Sequence, residues 1–100
     1  MPTMLSNESL NTMLFYEAMI YCDSLNEFGY NDWILPNFEQ LSYAISGGCV
    51  INDVRSQEYI WSRSMMEYTG GQYFKTIKTT GTYTIESKSP NVSIKCRCVR

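Results

Sequence analysis

The chain has 100 residues, a net charge of −2 and no histidine, which bounds its chemistry before any motif is read. One domain with a single modest core is expected, burying about two thirds of the surface its unfolded form exposes. Without histidine there is no Ser-His or Cys-His hydrolytic pair and the commonest metal ligand is missing, and a slightly acidic chain carries no electrostatic footprint for nucleic acid.

No run approaches the roughly 20 apolar residues of a membrane span. The opening MPTMLSNESL has neither the basic patch nor the apolar run of a secretory signal. Neither membrane insertion nor signal-directed export is expected.

Leu10, Leu14, Ala18, Tyr21, Cys22 and Leu25 recur at helical spacing. They predict a first helix from Leu10, capped by Asn11 or Thr12 and ended by Asn26 and Gly29, with Cys22 on its buried face. Pro36-Asn37 then precedes Phe38, Leu41, Ala44 and Ile45. Asn37 with Gln40 fits a capping box, so a second helix is predicted up to Gly47-Gly48. Trp33, in the link between the helices, is large enough to seal them to a sheet.

After Ile51 the pattern turns to strand. "EYIWSRSM" and "GQYFKTIKTTGTYTIESK" are rich in aromatic and β-branched residues, with Thr80-Gly81 as a turn. In the last segment Val92, Ile94, Cys96 and Cys98 alternate with Ser93, Lys95, Arg97 and Val99, which predicts a strand with the first set facing the core. Two helices followed by antiparallel strands make an α+β arrangement, two helices packed on a small antiparallel sheet.

Four cysteines, Cys22, Cys49, Cys96 and Cys98, allow three full pairings. One close pair without histidine does not make a zinc ribbon, so neither a metal nor any other cofactor is expected. Cys22 and an inward cysteine of the last strand can meet, and both Cys22–Cys98 and Cys22–Cys96 stay open on the residues alone. A Cys22–Cys98 bond closes most of the chain, worth about 4–5 kcal/mol in the chain-entropy model, against a typical total of roughly 5–15 kcal/mol.

The order of motifs resembles a known family. Tyr21-Cys22, Leu25, Gly29, Asp32-Trp33-Ile34-Leu35-Pro36 and Glu39-Gln40-Leu41 are similar to a pattern in which a Tyr-Cys helix precedes Gly-x-x-Asp-Trp-Arg-Leu-Pro and a Glu-Leu helix. Tyr59-Ile60-Trp61-Ser62 looks like its Trp-Ser strand, and Arg97-Cys98-Val99-Arg100 like its final segment. The family is the Lcl C-terminal type domain, with a C-type lectin-like fold, and the likeness spans residues 12 to 100. It implies a Cys22–Cys98 disulfide and a structural core holding Trp33, Pro36 and Trp61.

Three departures qualify it. Ile34 stands where the pattern has Arg, the first strand is reduced to at most Met1–Leu10, and the Glu-Pro-Asn and Trp-Asn-Asp calcium and sugar motifs of true C-type lectins are absent. Calcium-dependent sugar binding is therefore not implied. The fold is also similar to that of formylglycine-generating enzymes, but those use a longer chain with a metal and a redox-active cysteine pair. Cys96 and Cys98 alternate onto an inner face, where thiols are inert, so no enzyme activity is expected.

A binding role fits better. The loop in "SMMEYTGGQY" offers Met65, Met66, Tyr68 and Tyr73 as contact residues, flexible Met beside rigid Tyr; alternatively Met65 and Met66 fill the core. A disulfide-bearing domain of this kind works outside the cell, and a virion component reconciles that with the missing export signal. The leading expectation is a non-enzymatic bacteriophage structural protein, a capsid decoration or a tail or fibre tip in host attachment. Its partners are other virion proteins or itself, through an open sheet edge left by the shortened first strand. The alternative is a secreted bacterial adhesion or polysaccharide-binding module that takes cell-surface glycan.

Overall fold

The computed structural model describes residues 2–45, 59–68, 71–78 and 84–100. Cys49, the Gly47-Gly48 helix stop and the Thr80-Gly81 turn lie outside the described residues, as does the side chain of Tyr68. The elements are α1 (Phe15–Ser24), α2 (Phe38–Tyr43), β1 (Ile60–Tyr68), β2 (Gly71–Lys78) and β3 (Thr84–Lys88). The molecule is a small α+β unit, two helices with a three-stranded antiparallel sheet in the order β1-β2-β3.

Helix α1 begins five residues later than its apolar spacing predicts. Met13 exchanges both backbone hydrogen bonds with Ile94, at 2.8 and 3.0 Å, which keeps it extended. The helix starts beyond it, where Glu17 Oε1 accepts the Leu14 N–H at 2.8 Å. Leu10, expected on the buried face, is 92% exposed. Past the helix, Phe28 (φ 56°) and Gly29 (φ 82°) turn the chain between the bridged residues Glu27 and Tyr30. Two successive positive φ angles are what a tight hairpin turn of this hand requires, and glycine takes one without strain.

Helix α2 starts as its sequence predicts. Asn37 Oδ1 accepts the Gln40 N–H at 2.8 Å and Gln40 Oε1 accepts the Asn37 N–H at 2.9 Å, a reciprocal cap. Leu41, Ala44 and Ile45 turn inward with Leu5, Ile60, Ile77 and Val99 to form one buried cluster. A second cluster holds Ala18, Cys22, Trp33, Leu35, Trp61, Phe74, Ile94, Cys96 and Cys98. Neighbours Ile60 and Trp61 belong to different clusters, as the alternation of a strand dictates, so β1 divides the two.

The β1–β2 ladder slips between Trp61, opposite Thr76, and Met65, opposite Phe74. Three residues of β1, 62–64, thus stand against one of β2, Lys75, and the bulged segment turns to the link before α2. There Arg63 N–H donates to Pro36 O at 2.8 Å, and Phe38 N–H donates to Ser64 Oγ at 2.7 Å. This irregularity anchors the Trp33–Pro36 link to the sheet.

The C-terminal segment differs from the one-faced strand expected of it. Ile94, Cys96 and Cys98 are buried, but so are Val99 and Arg97, the latter only 2% exposed. The reason is the N-terminal segment, which lies along it: Ser6 and Ser9 donate backbone N–H to the carbonyls of Cys98 and Cys96, and Met4 to that of Arg100. Arg97 Nε donates to Ser6 O at 2.9 Å beneath this cover. On its other side Val99 exchanges two 2.9 Å hydrogen bonds with Ile34. The short first strand therefore covers the terminal segment. The sheet has β1 and β3 at its two edges, and the outer side of β1 is bridged at Ile60 to Lys95 of the terminal segment.

Candidate functional site

Cys22, buried on α1, is bonded to Cys98 of the C-terminal segment, with Cα atoms 5.6 Å apart and a sequence separation of 76. This is one of the two pairings the residues left open. Cys96 is the free cysteine among the described residues, and its Sγ lies 3.6 Å from Cys22 Sγ. The three sulfurs lie within 4.8 Å of one another, a set that can ligate a soft metal ion once the disulfide is opened. Burial pushes the Cys96 thiol up to about 12, which leaves almost no nucleophilic thiolate at neutral pH.

Both tryptophans are packed, and their polar atoms are satisfied within the fold. Trp61 donates its indole N–H to Met13 O at 2.9 Å, and Trp33 donates to Tyr30 O at 3.0 Å. Phe15 stacks on Phe74 and meets Trp61 edge-on, binding α1 to the sheet. Pro36 is buried in the link beside them.

The residues expected as contacts fall on the β1–β2 hairpin. Met65 is exposed opposite Phe74, while Met66 and Tyr73 face each other across the ladder, both half-buried. Ser87 Oγ donates to Met66 Sδ at 3.5 Å. Tyr68 closes the ladder against Gly71.

Another exposed apolar surface lies on α1. On α1, Ala18 and Cys22 point inward while Tyr16, Met19 and Ile20 point outward, with Ile20 61% exposed. Tyr16, Met19, Ile20 and Asp23 follow the i, i+3, i+4, i+7 spacing of a single helix face. Reading α1 for its core stripe alone passes over this second stripe, although the same period marks it.

Two hollows flank Ile20. One, of about 380 Å³, has Met19, Ile20, Trp33 and Ile34 on its apolar walls and Asp23 and Arg63 as its charged groups. The other, of about 440 Å³, sets Tyr16 and Ile20 beside Asn11, Thr12 and Glu17. Ile34, at the position where the resemblance expects Arg, is 45% exposed and extends the apolar wall. Arg63 is held in place, its Nε donating to Leu35 O at 2.9 Å.

Next to the first hollow, Arg100 forks onto Asp32 at 2.6 and 3.0 Å, with the Tyr30 ring 3.6 Å below the guanidinium carbon. The hydrogen bond from Arg100 holds the Asp32 carboxyl below the usual range, and the same contact raises Arg100. No helix among the described residues is long and apolar enough to cross a membrane. No family model, curated protein or solved structure matches the chain.

Proposed function

We propose that the chain is a non-enzymatic structural protein of a bacteriophage particle, a capsid decoration or host-attachment tip built on a C-type lectin-like domain. The lectin-like assignment is supported by the order of its parts: two helices, a Trp-x-Leu-Pro link, an antiparallel sheet, and a disulfide from the first helix to the chain's end. The disulfide suits a chain that works outside the reducing cytoplasm. The high titration range and burial of Cys96 speak for a structural thiol rather than a catalytic one.

The observation that carries the binding role is the outward apolar stripe of α1 continued by Ile34. Contiguous exposed apolar surface rimmed by polar groups marks an interaction face. Its occupant in this reading is a neighbouring protein of the particle, with Asp23 and Arg63 supplying one charge of each sign to fix orientation. The test is mass spectrometry of purified particles and of the soluble lysate from the source. The chain is expected in particles at fixed stoichiometry. Recovery only as free protein, or only on cells, would overturn the reading.

A second reading has its own observation. The hollow around Tyr16 combines an aromatic ring with amide, hydroxyl and carboxylate groups from Asn11, Thr12 and Glu17, the chemistry that holds a sugar ring by stacking and hydrogen bonds. A secreted adhesion or polysaccharide-binding module would use it as a monomer. Glycan binding lost in Tyr16→Ala, with no particle association, would favour that reading.

A further inference from the structure

Cys96 and Cys98 occupy matching seats. Ser9 donates its backbone N–H to Cys96 O at 2.9 Å and accepts the Cys96 N–H on its Oγ at 3.0 Å. Ser6 does the same for Cys98, at 2.8 and 2.7 Å. Both thiol-bearing residues point to the same side, two positions apart, and Cys22 reaches both: it is bonded to one and 3.6 Å from the other. A two-residue step along an extended chain keeps the face, whereas a one-residue step reverses it.

We propose that Cys96 is a second bonding partner for Cys22, reached by thiol–disulfide exchange within the buried cluster. Cys96 gives up its proton and its sulfur attacks Cys22 Sγ. The Cys22–Cys98 bond breaks, and Cys98 leaves as a thiolate that takes up a proton. One disulfide and one thiol are present before and after, so no oxidant or reductant is consumed. The exchange keeps α1 tied to the C-terminal segment while it uncouples the last three residues, Cys98 to Arg100, from the helix. Because the attacking species is the thiolate and burial raises the Cys96 thiol to about 12, exchange in the folded chain is slow at neutral pH and faster in alkali.

The test maps the bond by non-reducing tryptic digestion and mass spectrometry, since cleavage after Lys95 and Arg97 separates Cys96 from Cys98. All arms carry Cys49→Ser, so that three cysteines remain. With Cys98→Ser added, the air-oxidised protein is expected to contain a Cys22–Cys96 bond. With Cys98 retained, incubation between pH 8 and 10 followed by acid quenching is expected to produce Cys22–Cys96 at a rate rising about tenfold per pH unit. The second arm does not depend on the first variant folding. Finding only Cys22–Cys98 in the second arm after prolonged incubation at pH 10 would overturn the proposal. So would free Cys22 and Cys96 in a folded, oxidised Cys98→Ser variant.

Discussion

Arg63 donates its Nε–H to the carbonyl oxygen of Leu35 at 2.9 Å while its backbone N–H donates to Pro36 O at 2.8 Å. One residue of the β1 bulge thus grips two consecutive carbonyls of the link between the helices. That link carries Trp33 into the core and Ile34 to the surface, so the bulge sets the shape of the apolar hollow. Arg63→Ala keeps the backbone bond and loses the side-chain one, and is expected to destabilise the fold by about 1–2 kcal/mol. Arg63→Lys should not restore the loss, because lysine has a methylene where arginine carries the donating Nε–H. Urea unfolding of the two variants checks both statements; a stability unchanged in either would contradict the grip.

The indole of Trp61 is the next point of weakness. It donates to Met13 O at 2.9 Å and lies against Phe15 and Phe74. Trp61→Phe removes one of the two hydrogen bonds that Met13 O accepts, the Ile94 N–H keeping the other, and leaves a void beside it, at an expected cost of about 1–3 kcal/mol. Chemical denaturation measures it, and a loss below half a kilocalorie would show that the indole contributes only bulk.

The disulfide closes 76 residues of sequence separation. In oxidised protein Cys22→Ser is expected to cost about 4–5 kcal/mol, lowering Tm by well over about ten degrees for a chain of this size. Under reductant the same variant should differ little from the parent protein. Melting curves in both conditions decide it, and equal small shifts would mean that the bond does not stabilise the fold.

Acid stability follows from two carboxylates. The hydrogen bond from Arg100 lowers Asp32, and hydrogen bonds from Lys88 and then Tyr59 lower Glu86. A carboxylate depressed in the folded state stabilises it above the ordinary value near about 4 and loses that contribution as pH falls through the lower folded value. Asp32→Asn should therefore flatten, without abolishing, the fall in Tm below about pH 4, Glu86 supplying the remainder. Both groups face solvent, so the effect is small. A slope identical to that of the parent chain would contradict the assignment to Asp32.

How much of this was legible in the sequence depends on how local the signal is. The Asn37–Gln40 cap was readable because both partners lie within one helical turn. The strands of the sheet were readable from their β-branched and aromatic runs. The start of α1 was not, because Met13 is held extended by Ile94, 81 positions away, and helical spacing alone cannot register such a competitor. Arg97 looks like a solvent-facing residue in an alternating strand until the N-terminal segment covers it. The outward stripe on α1 was present in the spacing of Tyr16, Met19 and Ile20, but a helix with two apolar faces has no single direction to read.

In the proposed function the chain meets a neighbouring protein of a particle through α1 and Ile34. The most direct measurement is oxidative footprinting of the chain in purified particles against the isolated chain, read by peptide mass spectrometry. Met19 and Tyr16, both exposed in the free fold, are expected to label at least about fivefold less in the particle, with Ile20 and Ile34 protected beside them. Equal labelling of these residues in the two samples, or a chain absent from the particles, would contradict the account.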